Sequence, residues 1–180
     1  MLKCVYFFSK FTIPYYNDIK KMSADEVMGE TNEFKILDML LSNNINIIKR
    51  PSKYDVIDFY YETDDIFYEI ELKTRRNTLT DYNTTILAKN KIKHYIKNKN
   101  NNIYKPKQSV FYIIFGFQKE DNIKDYEFYY IQYLKQDFST FETWLNPYEN
   151  DKPYYLVPIE MLKPIDKLIN ILLNYKLSTF

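Results

Sequence analysis

Residues 58–73 read DFYYETDDIFYEIELK. The stretch is rich in Phe, Tyr and Ile, the residues of strands, yet it carries Asp58, Glu69, Glu71 and Lys73. Residues 54–62 and 66–73 read as an antiparallel hairpin with the turn at Thr63-Asp64-Asp65. Thr63 then faces Ile66, Tyr60 faces Glu69, Asp58 faces Glu71 and Val56 faces Lys73. Side chains alternate with period two, so these charged residues share one face, whereas Ile57, Phe59, Tyr61, Ile66, Tyr68, Ile70 and Leu72 share the other. Directly opposed side chains have Cβ atoms about 5 Å apart, and like charges at that distance repel. Unaided folding gives no reason to set Asp58 against Glu71, and a divalent cation between them would remove the conflict. Glu69 reads as a solvated position on the sheet face.

Outward from the hairpin, residues 24–42 read as an amphipathic helix. Ser23 and Glu26 have the spacing of a capping box, and Val27, Phe34, Leu37, Leu40 and Leu41 recur on one face. The Ser-Asn-Asn run at 42–44 ends it. Residues 82–99 read as a polar helix and KNKNNN at 97–102 as a loop. SVFYIIFGFQ (109–118) is a buried central strand and DYEFYYIQYL (125–134) its partner. A short strand near 154–159 and a helix near 165–173 follow. The expectation is an α/β fold in a single domain over 1–180, with a core at about 24–135 and a C-terminal extension at 136–180.

The chain has 180 residues, 46% hydrophobic and 27% charged, with a net charge of +1. That composition is globular and names no partner by overall charge. Cys4 is the only cysteine, which excludes an internal disulfide or a cysteine zinc site and fits an intracellular, cytoplasmic or host nuclear protein. The start, MLKCVYFFSKF, is too short and charged for a signal peptide, and no window is long enough to cross a bilayer, so neither secretion nor a membrane partner is expected. Lys, Asn, Tyr and Ile are abundant while Gly occurs only at Gly29 and Gly116. All four favoured residues have AT-rich codons, which suggests an AT-rich genome such as that of a large DNA virus or phage.

Asp58 followed by Glu71-Leu72-Lys73 resembles the D…ExK motif of the PD-(D/E)XK nuclease superfamily, although Ile57 stands where the name has proline. Gly29-Glu30-Thr31-Asn32-Glu33 is similar to the G-x-x-x-E of the helix that often opens these folds, and Thr74-Arg75-Arg76 to the ending of several such motifs. The resemblance covers roughly 24–118. It implies a restriction-endonuclease-like mixed β-sheet flanked by helices and a Mg²⁺-dependent endonuclease, with Mn²⁺ as a substitute, that hydrolyses DNA to 5′-phosphate and 3′-hydroxyl ends. It implies metal binding by Asp58, Glu71 and the Leu72 carbonyl, with Glu33 assisting and Glu30 its competitor. It implies that Lys73 orients the attacking water, and a homodimer where paired cuts are made.

Residues 73–107 hold ten Lys and Arg against one acid, Asp81. Arg75, Arg76, Lys89, Lys91 and Lys93 read as a basic wall for a nucleic-acid backbone, with Lys91 a candidate for positioning substrate, whereas Lys97 to Lys107 read as a solvated run. His94 reads as a surface residue, and Trp144 with Tyr129, Tyr130 and Tyr133 as core packing more than base-stacking groups. A non-catalytic nucleic-acid-binding or structural protein that keeps the fold, and a protein–protein module, are the competing readings.

Overall fold

The computed structural model describes residues 23–50 and 55–177; Cys4 and the apolar start of the chain lie outside the described residues. Helix α1 (Ala24–Ser42) begins at the expected capping box: the Glu26 amide donates to Ser23 Oγ at 3.2 Å, and the Ser23 amide donates to Glu26 Oε2 at 2.8 Å. It ends where Asn44 enters the left-handed region at φ 60°. Strands β1 (Ile48–Lys49), β2 (Phe59–Glu62) and β3 (Ile66–Thr74) follow. The β2–β3 register pairs Tyr60 with Glu69 and Phe59 with Ile70, as the alternation predicts. Asp58 lies one residue before β2.

Strand β4 (Thr84–Ala88) and helix α2 (Lys89–Asn100) cross over to β5 (Gln108–Gln118), which pairs with β3 in parallel. The expected helix over 82–99 thus begins as a strand. Thr84, Thr85 and Ile86 are β-branched, and that local preference prevails over the polar pattern. The expected loop at 97–102 is helical as far as Asn100. Strand β6 (Tyr126–Gln132) returns antiparallel to β5, and α3 (Lys135–Phe138), β7 (Thr143–Asn146), β8 (Lys152–Pro158), β9 (Lys163–Pro164) and α4 (Ile165–Leu177) complete the described chain.

Among the described residues the strands form a mixed six-stranded sheet, β1-β2-β3-β5-β6-β9, and a three-stranded sheet, β4-β8-β7. Helices α1 and α4 cover one face of the larger sheet: Ile36, Leu40, Ile165, Leu168 and Leu172 pack on Phe59, Tyr68, Ile70, Leu72 and Ile114. Helix α2 and the smaller sheet cover the other: Leu87, Ile92, Tyr95 and Val157 pack on Phe111, Ile113, Phe115 and Phe117. The fold is a single-domain mixed α/β sheet flanked by helices. Residues beyond 135 supply strands of both sheets and a helix of the first core.

Three local expectations need correction. Val27, Phe34 and Leu41 are exposed at 42%, 46% and 45%, because α1 is rotated to bury Asn32, Ile36 and Leu40. Ile57 packs in the second core beside Leu87 and Ile92 instead of joining Phe59 and Tyr61, because the chain bends before β2 begins. Glu69 is 1% exposed. Strand β3 is central and covered on both faces, so its charged face looks into the α2 layer instead of into water. No helix among the described residues is long and apolar enough to cross a membrane.

Candidate active site at the carboxyl end of strand β3

A cleft of about 420 Å³ opens between the first turns of α1 and the end of β3. Asp25, Met28, Gly29 and Glu33 line it from the helix, with Asp58 and residues 72–76 opposite. It lies at the carboxyl end of β3, the strand that pairs in parallel with β5. Ligands of open α/β sheets commonly sit at that end of parallel strands.

The rotation of α1 has its cause here. Its inward stripe is apolar at Ile36 and Leu40 but runs through Glu33 to Gly29 where it borders the cleft. A helix whose inner face is half polar misleads any reading based on hydrophobic periodicity.

The structure brings Glu33, Asp58, Glu71 and Lys73 together. Asp58 Oδ2 accepts from the Leu72 amide at 2.7 Å, which anchors the residue before β2 to the middle of the motif. Burial, and next the charge of Glu71, push the Asp58 carboxyl up to about 6, against the pull of Lys73, the Leu72 amide and Lys91. Burial, and then Asp58, also raise Glu33, although Lys49 lies 3.0 Å from its Oε2. Glu30 is not on the cleft and acts on Glu33 only by repulsion.

Glu71 is fully buried beneath the cleft. Its Oε1 pairs with Lys73 Nζ and, at 2.8 Å, with Lys91 Nζ, which also donates to the Val56 carbonyl. Burial pulls the Lys73 ammonium down, but Glu71 and Asp58 more than offset this and hold it above the ordinary lysine range. Lys73 is therefore protonated at neutral pH. It can donate to a phosphate oxygen or orient a water.

The expected basic wall divides. Arg75 donates from Nε to Thr85 Oγ1 at 3.0 Å and from Nη2 to the Ile86 carbonyl, tying the end of β3 to β4; burial lowers its guanidinium to about 10. Arg76 is exposed and pairs with Asp25 at the cleft mouth. Lys89 donates to Thr143 Oγ1 at 2.6 Å and sits 4.4 Å over the Tyr155 ring. Lys91 points inward to Glu71, and Lys93 is exposed on the outer side of α2. His94 is half-buried beside Asn98. Tyr130 is buried, and Tyr129 and Tyr133 pack edge-on against Phe117 and Phe138, while Trp144 is on the surface.

Sequence reasoning missed the setting of Glu69. Burial raises its carboxyl despite Tyr104 and Arg50, and in turn adds to the upward shift of the Tyr104 phenol. Tyr104 lies in a polar, lysine-rich loop that gives no hint of burial.

The donor set fits a hard divalent cation in part. Such ions take carboxylate and carbonyl oxygens and are commonly held by one or two carboxylates plus water. Asp58, Glu33 and Leu72 line one cleft, and after burial the charge of Asp58 helps to raise Glu33. Against this, Lys73 and Lys91 already neutralise Glu71, and no group of three acidic, His or Cys side chains among the described residues is gathered to hold an ion.

No protein-family model matches the chain, and no curated protein matches it. Among solved structures, the fold is similar to that of D212, a nuclease from a fusselovirus, with a TM-score of 0.49 and 16% identity. The likeness covers 88% of this chain and 98% of that one. A likeness at that level decides nothing about activity.

Proposed function

We propose that this chain is a metal-dependent nuclease of the PD-(D/E)XK type that hydrolyses DNA phosphodiester bonds. The observation that carries the reading is Asp58, anchored on the Leu72 amide and raised to about 6 by burial and Glu71, beside a Lys73 that stays protonated. Asp58, Glu33 and the Leu72 carbonyl would hold a Mg²⁺ ion, with Glu71 joining them once Lys73 turns from its Oε1. Such an ion supplies Lewis-acid polarisation and an acidified water. Lys73 then faces the cleft, where its ammonium offsets charge on the scissile phosphate and orients the attacking water. Lys91 keeps Glu71 from being left as an unpaired buried charge during that exchange. Arg76 is placed to meet a flanking phosphate after releasing Asp25.

The double pairing of Glu71 favours one alternative, a nucleic-acid-binding protein that keeps this fold and whose charges are already balanced without metal. Calorimetric titration with Mn²⁺ separates the two. The nuclease reading expects saturable binding to the wild type that is lost in Asp58→Asn. Absence of binding, or equal binding by both proteins, rejects it.

A further inference from the structure

Helix α1 carries two apolar stripes, and the sheet uses one of them. Ile36 and Leu40 face the core, while Val27, Phe34 and Leu41 fall on the opposite side at seven-residue spacing, two helical turns apart, and all three are exposed. Single apolar residues on a surface are ordinary, but a row of three along one helix face marks a surface that meets a partner. The Lys49 ammonium stands 4.4 Å from the centre of the Phe34 ring and still leaves that residue exposed. Glu30 and Asp38 interleave with the three apolar residues in the same outer row. Asp25 and Glu33 pair with Arg76 and Lys49, and Glu26 closes the capping box. Glu30 and Asp38 enter no ion pair among the described residues.

Residues 1–22, outside the described residues, lead directly into the Ser23 cap and read MLKCVYFFSKFTIPYYNDIKKM. Eight of the twelve residues from Val5 to Tyr16 are Val, Ile, Phe or Tyr, and the segment sets Lys3, Lys10, Lys20 and Lys21 against Asp18 alone. Its composition complements the outer row twice over, apolar against apolar and basic against acidic. The row from Val27 to Leu41 is about 21 Å long, a distance that about seven residues of extended chain cover. Asn17-Asp18 has turn-forming chemistry between the apolar run and Ser23. The covalent tether keeps the segment beside the row at high effective concentration. A second copy suits the row less well, because a two-fold axis would set the acids of one helix against the same acids of the other.

We propose that the segment before Ser23 folds back over the outer row of α1, its aromatic residues on Val27, Phe34 and Leu41 and its lysines beside Glu30 and Asp38. Helix α1 is then covered on both sides, by the sheet and by the chain's own beginning.

Limited chymotrypsin digestion of the full chain tests this, with cleavage inside residues 1–22 followed by mass spectrometry. Cleavage there should speed up at least about tenfold in Val27→Asp and in Phe34→Asp, because the segment is cut only when it lifts from the helix. Ile123→Asp replaces an exposed apolar residue of the β5–β6 turn and should leave the rate unchanged. In the wild type, a nitroxide on Cys4, the only cysteine, should broaden the Phe34 and Leu41 amide resonances of its own chain. Mixing spin-labelled chains with isotope-enriched unlabelled ones should leave those resonances sharp. Equal cleavage rates in wild type and both α1 variants, or no broadening within the chain, overturns the proposal. Broadening between chains also overturns it, and gives the row to a second copy.

Discussion

At the residue scale the molecule turns on how it treats three carboxylates at one strand end. Asp58 is raised to about 6 from an ordinary 3.8, so the folded state holds its proton more tightly than the unfolded chain. Its contribution to stability is present below about 4 and lost as pH rises through 6. Asp58→Asn keeps an acceptor for the Leu72 amide, so it should be more stable than wild type at pH 8 by about 1–3 kcal/mol in urea, and the difference should vanish near pH 4. Cleavage should rise with pH through the same interval, because only the ionised carboxylate can hold a cation. Glu71 matters as the shared partner of Lys73 and Lys91. Removing it strands two lysines in the interior, and Glu71→Ala should cost about 3–5 kcal/mol in urea unfolding. The register of Phe59 with Ile70 and Tyr60 with Glu69 is legible in the sequence because strand alternation and a polar turn fix it, but it stops short of Asp58, which precedes β2 and reaches the Leu72 amide instead. The burial of Glu69 is not legible, since a strand's own pattern cannot tell a face covered by a lysine-bearing helix from one covered by water.

Elements carry the next level of the account. Helix α1 was placed to the residue by its capping box, yet its orientation was misread because the inner stripe includes Gly29, Asn32 and Glu33. Apolar periodicity locates a face that packs, not one that borders a cleft. Ser23→Ala should cost about 1 kcal/mol of stability, read by chemical denaturation. Arg75 illustrates the other ambiguity, since an arginine just after Glu71-Leu72-Lys73 suits either a phosphate or a carbonyl. Here it bridges β3 to Thr85 and Ile86, so Arg75→Met should lower unfolding free energy by about 2–4 kcal/mol. The salt dependence of nucleic-acid binding should change little. A steep loss of that dependence with stability intact would assign Arg75 to the phosphate backbone instead.

The whole molecule is three layers in which each face of the central sheet has its own core. Helix α4 closes the first core through Ile165, Leu168 and Leu172, so a chain ended at residue 164 should lose cooperative thermal unfolding. In the second layer, β4-β8-β7, strand β4 joins a β7–β8 hairpin that lies far from it in sequence. Short strands of this kind, such as TTILA and TWLN, have no periodicity long enough to register, and their pairing is decided by tertiary contact. This layer braces the site from behind, because it holds α2 and hence Lys91 against Glu71. The central claim is that this braced strand end hydrolyses phosphodiester bonds. Its most direct test is cleavage of labelled DNA in Mg²⁺ or Mn²⁺ by wild type, Asp58→Asn and Lys73→Met, each checked for an intact thermal transition. The account predicts metal-dependent cutting by wild type and a loss of about a hundredfold or more in both variants. No cutting of any DNA form by wild type, or undiminished cutting by either variant, would contradict it.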